Sequence, residues 1–437
     1  MTRRRVPSAA TIGCAAAAVL MFAAAAVPAL THWQVYAGFP PLSGLWDPRV
    51  GAASLAALAI AVLSVAFGWA ACERFTWTGL LLAAWLTGLG WSLSLALVDG
   101  LAGIDTILAT PHEYLRTARA THNVSATLHE FISRIPAGSQ GSWPVHVAGH
   151  PPGALLFFVL LVRLGLGSGL AAGLVVSVVA STTPVAVLVT LRVLGAEQAA
   201  RRAAPFLVLS PAAIWATVSA DGVFAAVAAW ALAALALAAV RRSASWSLLA
   251  GLLFGCCLLL SYGLPLVGIL AIAVLVATRT VFPVVPAIAA AGALILAFAL
   301  AGFSLWAAYP VLDERYWAGI ASWRPASYWL WGDLAALSFC AGPLMAAGLG
   351  QVFARARMMW PDSATRAVLT LPVAATAAIV MADVSLMSKA EVERIWLPFV
   401  PWLLVGCATL SKRWRQRGLV VQASTALLVQ HLLFVIW

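Results

Sequence analysis

Apolar runs of about 20 residues, the length that crosses a bilayer as a helix, recur along the whole chain with short polar connections between them. Thirteen windows stand out: 9–30, 51–71, 79–98, 169–191, 203–218, 222–240, 246–261, 264–278, 282–305, 332–352, 367–382, 395–410 and 418–436. The runs are continuous and do not alternate residue by residue, so they predict helices and not barrel strands. One stretch breaks the rhythm. Residues 99–150 are polar; 151–168 are apolar but short, opening on Pro151-Pro152-Gly153 and closing on Gly165, Gly167 and Gly169, with Arg163 inside. This predicts a helix lying in the outer interface, because counting it as a span would invert every later loop. The predicted fold class is an all-α polytopic membrane protein of about 13 transmembrane helices. Residues 1–78 form an N-terminal hairpin, 79–437 form the core with an outer loop at 99–168, and no soluble domain is expected.

Composition agrees. The chain is 63% hydrophobic and only 9% charged, with a mean hydropathy of +0.97; a soluble domain carries roughly a quarter charged residues. The net charge of +11 would point to nucleic acid in a soluble protein. Here the basic residues sit mainly in short loops, where they orient the spans, and no nucleic-acid partner is expected. Cys14, Cys72, Cys256, Cys257, Cys340 and Cys407 lie almost entirely inside apolar segments without metal-ligand spacing, so they read as small buried apolar residues. The run Arg3-Arg4-Arg5 before an alanine-rich segment imitates a secretory signal, but 9–30 is long enough to read as an uncleaved first helix.

With the N-terminus in the cytoplasm, the inner loops collect Arg74, Arg192, Arg201, Arg202, Arg241, Arg242, Arg279, Arg355, Arg357, Arg366 and the basic run 412–417. Of the 15 acids, only Glu73, Glu197 and Asp362 fall inside. Acids contribute little to topology, so their bias points to function. Histidine is skewed the same way: His32, His112, His122, His129, His146 and His150 lie outside, and only His431 falls in a span. The expected location is therefore a cell (plasma) membrane, with the chemistry on its outer face.

Three outer segments carry most of the candidates. The loop 99–150 holds Asp99, Asp105, His112, Glu113, Tyr114, Arg116, Arg119 and His150. A carboxylate with arginines a helical turn away can stay ionised and take a proton from a hydroxyl. The plainer alternative for Glu113 is a surface ion pair with Arg116. Asp99-Gly100 directly follows a span and also fits simple helix termination. His150 before two prolines either orients a phosphate or sugar or forms a turn. Asp221 is either a site residue or an N-cap, and Tyr262-Gly263 is either a binding position or a turn. Segment 306–331 offers Arg324-Pro325 and Tyr328-Trp329, which suit a stacked sugar or an interfacial aromatic belt. Segment 383–394 sets Asp383, Lys389, Glu391, Glu393 and Arg394 against a span, where charges are costly and usually paired or functional. Arg394 matches phosphate oxygens, with pairing to Glu391 or Asp383 as the alternative.

The ordering of these features resembles the GT-C superfamily of integral-membrane glycosyltransferases. A span is followed by an outer loop with an acid beside a tyrosine, here Glu113-Tyr114 with Arg119 following. Then come the turn His150-Pro151-Pro152, a short interfacial helix, a span ending at Arg192, Ser210-Pro211 and the outer Asp221. The layout looks like the protein O-mannosyltransferase and aminoarabinose-transferase branch. The stretch from Ala382-Asp383 through Ser388-Lys389-Ala390-Glu391-Val392-Glu393-Arg394-Ile395-Trp396-Leu397-Pro398-Phe399 is similar to actinobacterial methylthioxylose and related lipoglycan glycosyltransferases, as are Arg324-Pro325 and Ser261-Tyr262-Gly263-Leu264. Two features depart from the pattern. The usual paired acids of the first loop are replaced by His112-Glu113, and the hairpin 1–78 is extra, with no reading beyond packing.

The resemblance implies an inverting transfer of a sugar from a polyprenyl-phosphate donor to a glycan, lipid or protein hydroxyl of the cell envelope. Glu113 is the expected base, with Asp99 and Asp105 as alternatives. His150, Tyr114, Arg119, Asp221, Tyr262, Arg324, Glu391, Glu393 and Arg394 are the expected substrate-binding residues. Membrane lipid surrounds the site. No cofactor is expected, since the phosphate leaves already charged and cationic side chains can replace a metal; a divalent metal stays open as the alternative. Removing Arg394 is expected to weaken donor use and leave the fold intact. The rival class is a multi-pass lipid or solute transporter or flippase. Against it stand the crowding of acids at one surface and the lack of a repeat. A non-enzymatic envelope scaffold is the third reading.

Overall fold

The computed structural model describes residues 8–356 and 362–435; Arg3-Arg4-Arg5 and Arg357, which entered the topology reading, lie outside them. The chain is nearly all helical. Among the described residues, six helices are long and apolar enough to cross a membrane: Ala9–Thr31, Ser54–Arg74, Trp77–Asp99, Gly169–Val193, Ala220–Arg241 and Ser363–Val384. Two bent pairs raise the number to eight if each is one span, and Pro152–Arg163, Ala244–Leu260, Leu264–Thr278 and Val400–Thr409 are shorter apolar helices. This is a membrane-embedded helical bundle.

The thirteen apolar windows thus correspond to six to eight helices of spanning length and four shorter apolar ones among the described residues, because hydropathy counts apolar residues and not unbroken helix. The window 332–352 is two helices, Ala326–Ala341 and Leu344–Arg355, bent by 105° at Gly342-Pro343, where Gly342 takes φ +81° and proline cannot continue a helical hydrogen-bond ladder. The window 282–305 ends in a 74° break between Val284–Leu300 and Leu305–Trp317. Around Ser210-Pro211 the chain stops the helix Glu197–Val208 and resumes only as Ala213–Ala216. Segment 151–168 does form a short helix, Pro152–Arg163, with proline in its first turn, a position that needs no backbone N–H.

Small residues decide what is buried. The helix Ala220–Arg241 is alanine-rich and buried on nearly every side, packing against Gly169–Ala180, Thr183–Val193, Ala244–Leu260 and Val267–Thr278. The helix Ala9–Thr31 instead buries only Ala10, Ala17, Ala24 and Pro28, a narrow seam of small side chains. A Cβ on Gly13 would fall 2.2 Å from the Ala346 carbonyl oxygen, so this helix sits against Leu344–Arg355 at backbone distance, as helices in lipid commonly do. Its Phe22 and Leu30, like Leu55 and Phe67 of the next helix, point outward.

The two ends of the bundle differ in charge. At one end Arg201 donates to the carbonyls of Cys72 and Phe75 at 2.7 and 3.0 Å and pairs with Glu197. Arg192 joins the same carboxylate at 3.1 Å, and Ser363 donates to the Leu194 carbonyl. At the other end the three acid- and histidine-rich segments meet. Arg315 donates to the carbonyls of Ile135 and Trp143, Tyr316 donates to the Leu386 carbonyl at 3.0 Å, and Arg394 reaches Glu113. The connection after the first helix packs over this end. Trp329 donates to the Val35 carbonyl at 3.0 Å. Strand β1, Gly44–Trp46, pairs antiparallel with β2, Leu433–Val435, in the register Gly44↔Val435, Leu45↔Phe434, Trp46↔Leu433.

Candidate functional site

The site assembles from four distant pieces of chain. Glu113 is the residue before the short helix Tyr114–Ala120 and holds an extended backbone, but its carboxylate does not cap that helix. It turns instead toward the four-residue helix Val145–Ala148, which starts after Pro144. The two segments are held in register by the His146 N–H on the His112 carbonyl at 3.3 Å. His146 Nδ1 then lies 2.7 Å from Glu113 Oε1. Tyr114, stacked on Phe158, places its hydroxyl 3.2 Å from the His146 carbonyl oxygen and 2.8 Å from His150 Nδ1.

Asp221 opens the buried helix Ala220–Arg241, and Ser219 Oγ accepts from its N–H at 3.2 Å. The N-cap alternative is thus taken by the serine, leaving the aspartate side chain to the interior. Arg394 arrives from the short helix Val392–Ile395. Ala390 and Glu391, just before it, take φ +65° and +62°, a region costly for residues with a Cβ; this kink turns the segment inward. Arg394 donates to Asp221 Oδ2 from both Nε, at 3.0 Å, and Nη2, at 2.8 Å. Its Nη2 is 3.8 Å from Glu113 Oε1. One guanidinium therefore serves two carboxylates, and Glu113, Asp221 and Arg394 are 5%, 7% and 6% exposed. Glu113 Oε2 is buried with no hydrogen-bond partner.

The electrostatics follow from this packing. Burial works to raise the Glu113 pKa, but the His146 hydrogen bond and the charges of His146 and Arg394 outweigh it and hold the carboxyl below its usual range, so it is ionised at neutral pH. Burial pushes the Tyr114 phenol well up, helped by the Glu113 and Asp221 charges, and it stays protonated. Burial lowers His150, favouring neutral imidazole. Burial works against the Arg394 charge, yet Asp221 and Glu113 more than compensate and raise its pKa. Among the described residues no group of three or more His, Cys, Asp or Glu is arranged to hold a metal ion.

Of the residues predicted from sequence, Glu113, Tyr114, His150, Asp221 and Arg394 come together here. Arg324 and Glu391 form a neighbouring pair at 3.0 Å; Arg324 also donates to the Lys389 carbonyl and Lys389 Nζ to the Arg324 carbonyl. The remaining five stand elsewhere. Asp99 is paired with Arg49 and accepts from Gln430, tying the end of the span Trp77–Asp99 and the connection before Ser54 to the last helix. Asp105 Oδ1 accepts the Leu170 N–H at 2.7 Å, satisfying an open helix terminus. Arg119 donates twice to the Gly167 carbonyl, and Tyr262 packs on Tyr309. The surface pair Glu113–Arg116 is replaced by Glu113–His146 and Arg394. His146, which the sequence showed only as one of several outer histidines, is the partner that sequence reasoning passed over. A separation of 33 residues carries no periodic signal.

Glu393 is the fifth. It is fully buried, and its Oε1 accepts the Ser43 N–H at 2.9 Å. Burial pushes its pKa up to about 7, against the pull of that hydrogen bond. An unfolded glutamate ionises near about 4.3, so the folded protein binds the extra proton and its stability falls as pH rises from about 4.3 through about 7. Thermal unfolding in detergent should show this loss for the wild type, and Glu393→Gln should flatten it. An unchanged slope in the variant would remove Glu393 as the cause.

The fold and the site together define a class: a membrane-embedded helical bundle with a buried carboxylate–arginine–histidine cluster at its acidic end. Comparison with known proteins adds nothing narrower, as no family model and no curated protein matches the chain.

Proposed function

We propose that this chain is a glycosyltransferase of the outer membrane face, moving a sugar from a polyprenyl-phosphate donor to a hydroxyl of a cell-envelope glycan, lipid or protein. The observation that carries the reading is Glu113: an ionised, buried carboxylate with one oxygen engaged and the other without a partner. In the proposed step the acceptor O–H gives its proton to Glu113 Oε2 as its oxygen bonds to the anomeric carbon. The bond from that carbon to the phosphate oxygen breaks, and the electron pair leaves on the phosphate. The Arg394 charge lies beside the base, and Arg324 is the further cation. Both favour an anionic leaving group.

A second feature supports a lipid donor. A small apolar cavity of about 70 Å³ is lined by Ala225, four residues along the helix from Asp221, and by Leu397, three residues after Arg394. Gly88, Ala180 and Leu404 complete its walls. The first carbons of a lipid chain placed there would stay out of water, with the phosphate directed toward the ionic cluster. The two sharply bent helix pairs favour the rival, since transporters build their sites at broken helices.

Purified protein in proteoliposomes, given a panel of polyprenyl-phosphate sugars labelled in the sugar, decides between them. Transfer of label to a water-soluble or lipid acceptor with release of polyprenyl phosphate is expected. Label that crosses the bilayer still joined to its lipid, with no donor on the panel consumed, would establish transport and overturn the transferase.

A further inference from the structure

We propose that His146 is the positioning residue of the Glu113 carboxylate, holding Oε1 so that Oε2 is the oxygen presented to the substrate proton. The inference rests on the reading of Glu113 as the base and says how that base is aimed.

The geometry is specific. A carboxylate only accepts, so Nδ1 of His146 carries a proton and donates it to Glu113 Oε1 across 2.7 Å. The histidine is itself held at its backbone. Its N–H is on His112, and its carbonyl oxygen lies 3.2 Å from Tyr114 Oη and 2.9 Å from His150 Nδ1. The ionisable groups around the pair are Arg394 on Val392–Ile395, Asp221 at the start of Ala220–Arg241, Tyr114 on its own short helix and His150 in the turn that follows. Arg394 sits on the Oε1 side at 3.8 Å, so both the donor and the nearest cation engage the same oxygen. That leaves Oε2, which is buried without a partner, as the oxygen able to take a proton.

This donor also suits both states of the acid. When Oε2 receives the acceptor's proton, Oε1 becomes a carbonyl oxygen and still accepts from Nδ1–H, so no hydrogen bond has to be exchanged during the step. The conserved contact through the step is what separates positioning from proton relay: His146 neither gives nor takes the proton.

Three variants test this, with one readout tied to activity and one independent of it. Both are the pH dependence of Glu113: the acidic limb of the pH–rate profile, and the carboxylate infrared band assigned by its loss in Glu113→Gln. His146→Leu removes the donor and leaves burial uncompensated, so the limb and the band should move to higher pH by about one unit or more. His146→Asn supplies an amide N–H and should restore the wild-type position. If the leucine variant does not fold, His146→Ala with and without added imidazole takes its place, and imidazole should return the titration to that of the wild type. A limb and band unmoved by loss of the donor, or moved equally by leucine and asparagine, would overturn the positioning role. If the wild type transfers no sugar, the proposed function fails, and the infrared titration still decides whether His146 sets the Glu113 carboxylate.

Discussion

Arg394→Ala is expected to destabilise the protein by about 3–5 kcal/mol, the cost of leaving buried charges unpaired. The residue is the counter-charge for Asp221 at 2.8 Å and for Glu113 at 3.8 Å, and alanine leaves both carboxylates inside the protein. Such a loss is comparable to much of the stability of an ordinary domain. Thermal unfolding in detergent should therefore fall sharply, and donor consumption with it. This reverses the sequence expectation that the fold would stand without Arg394, which treated the side chain as a grip for phosphate. The pairing can be separated from any donor contact. Asp221→Asn combined with Arg394→Gln removes both charges of the tightest pair and should recover a large part of the lost stability. A double variant no more stable than Arg394→Ala would show that the arginine's main structural partner is not Asp221.

Glu113→Gln is expected to lower transfer about 10²- to 10⁴-fold, the usual contribution of a positioned general base, with the donor KM little changed. The amide has nearly the same shape as the carboxylate, and its oxygen can still accept from His146 Nδ1 at the observed 2.7 Å. The fold should therefore persist, and unfolding temperature provides the control. Steady-state transfer with a labelled polyprenyl-phosphate sugar gives the readout. Full activity in Glu113→Gln would remove Glu113 as the base. Asp221, the other carboxylate at the cluster, would then be examined next, because Asp99 and Asp105 are committed to Arg49 and to the Leu170 N–H.

Part of the site was legible in the sequence for a simple reason. Charged and histidine side chains are expensive in lipid, so where they gather in segments 99–150, 306–331 and 383–394 of so apolar a chain, they announce polar work. Glu113, Tyr114, His150 and Arg394 were visible as candidates on that ground, and Asp221 as a lone acid between two apolar runs. What could not be read was which acid meets which base. Glu113 has Arg116 at i+3 and pairs with neither it nor any other residue of its own helix. Its partners are His146 and Arg394, 33 and 281 residues away. Likewise Asp99, next to a glycine after a span, stood as an alternative base in the sequence, and the fold commits it to Arg49. The N-terminal hairpin read as packing alone, yet its connection puts the Ser43 N–H on buried Glu393.

By itself the sequence determined that this chain is helical and belongs in a membrane, because continuous apolar runs leave backbone groups no partners except those within a helix. It also determined which short segments are polar enough to hold a site. The tertiary structure decided how many of those runs are unbroken helices, since a bend at Gly342-Pro343 costs nothing in hydropathy. It decided, too, that Glu113, His146, Asp221 and Arg394 share one buried space. Ion pairs and hydrogen bonds act over a few ångströms of space, and no periodicity along the chain encodes contacts between segments brought together only by packing.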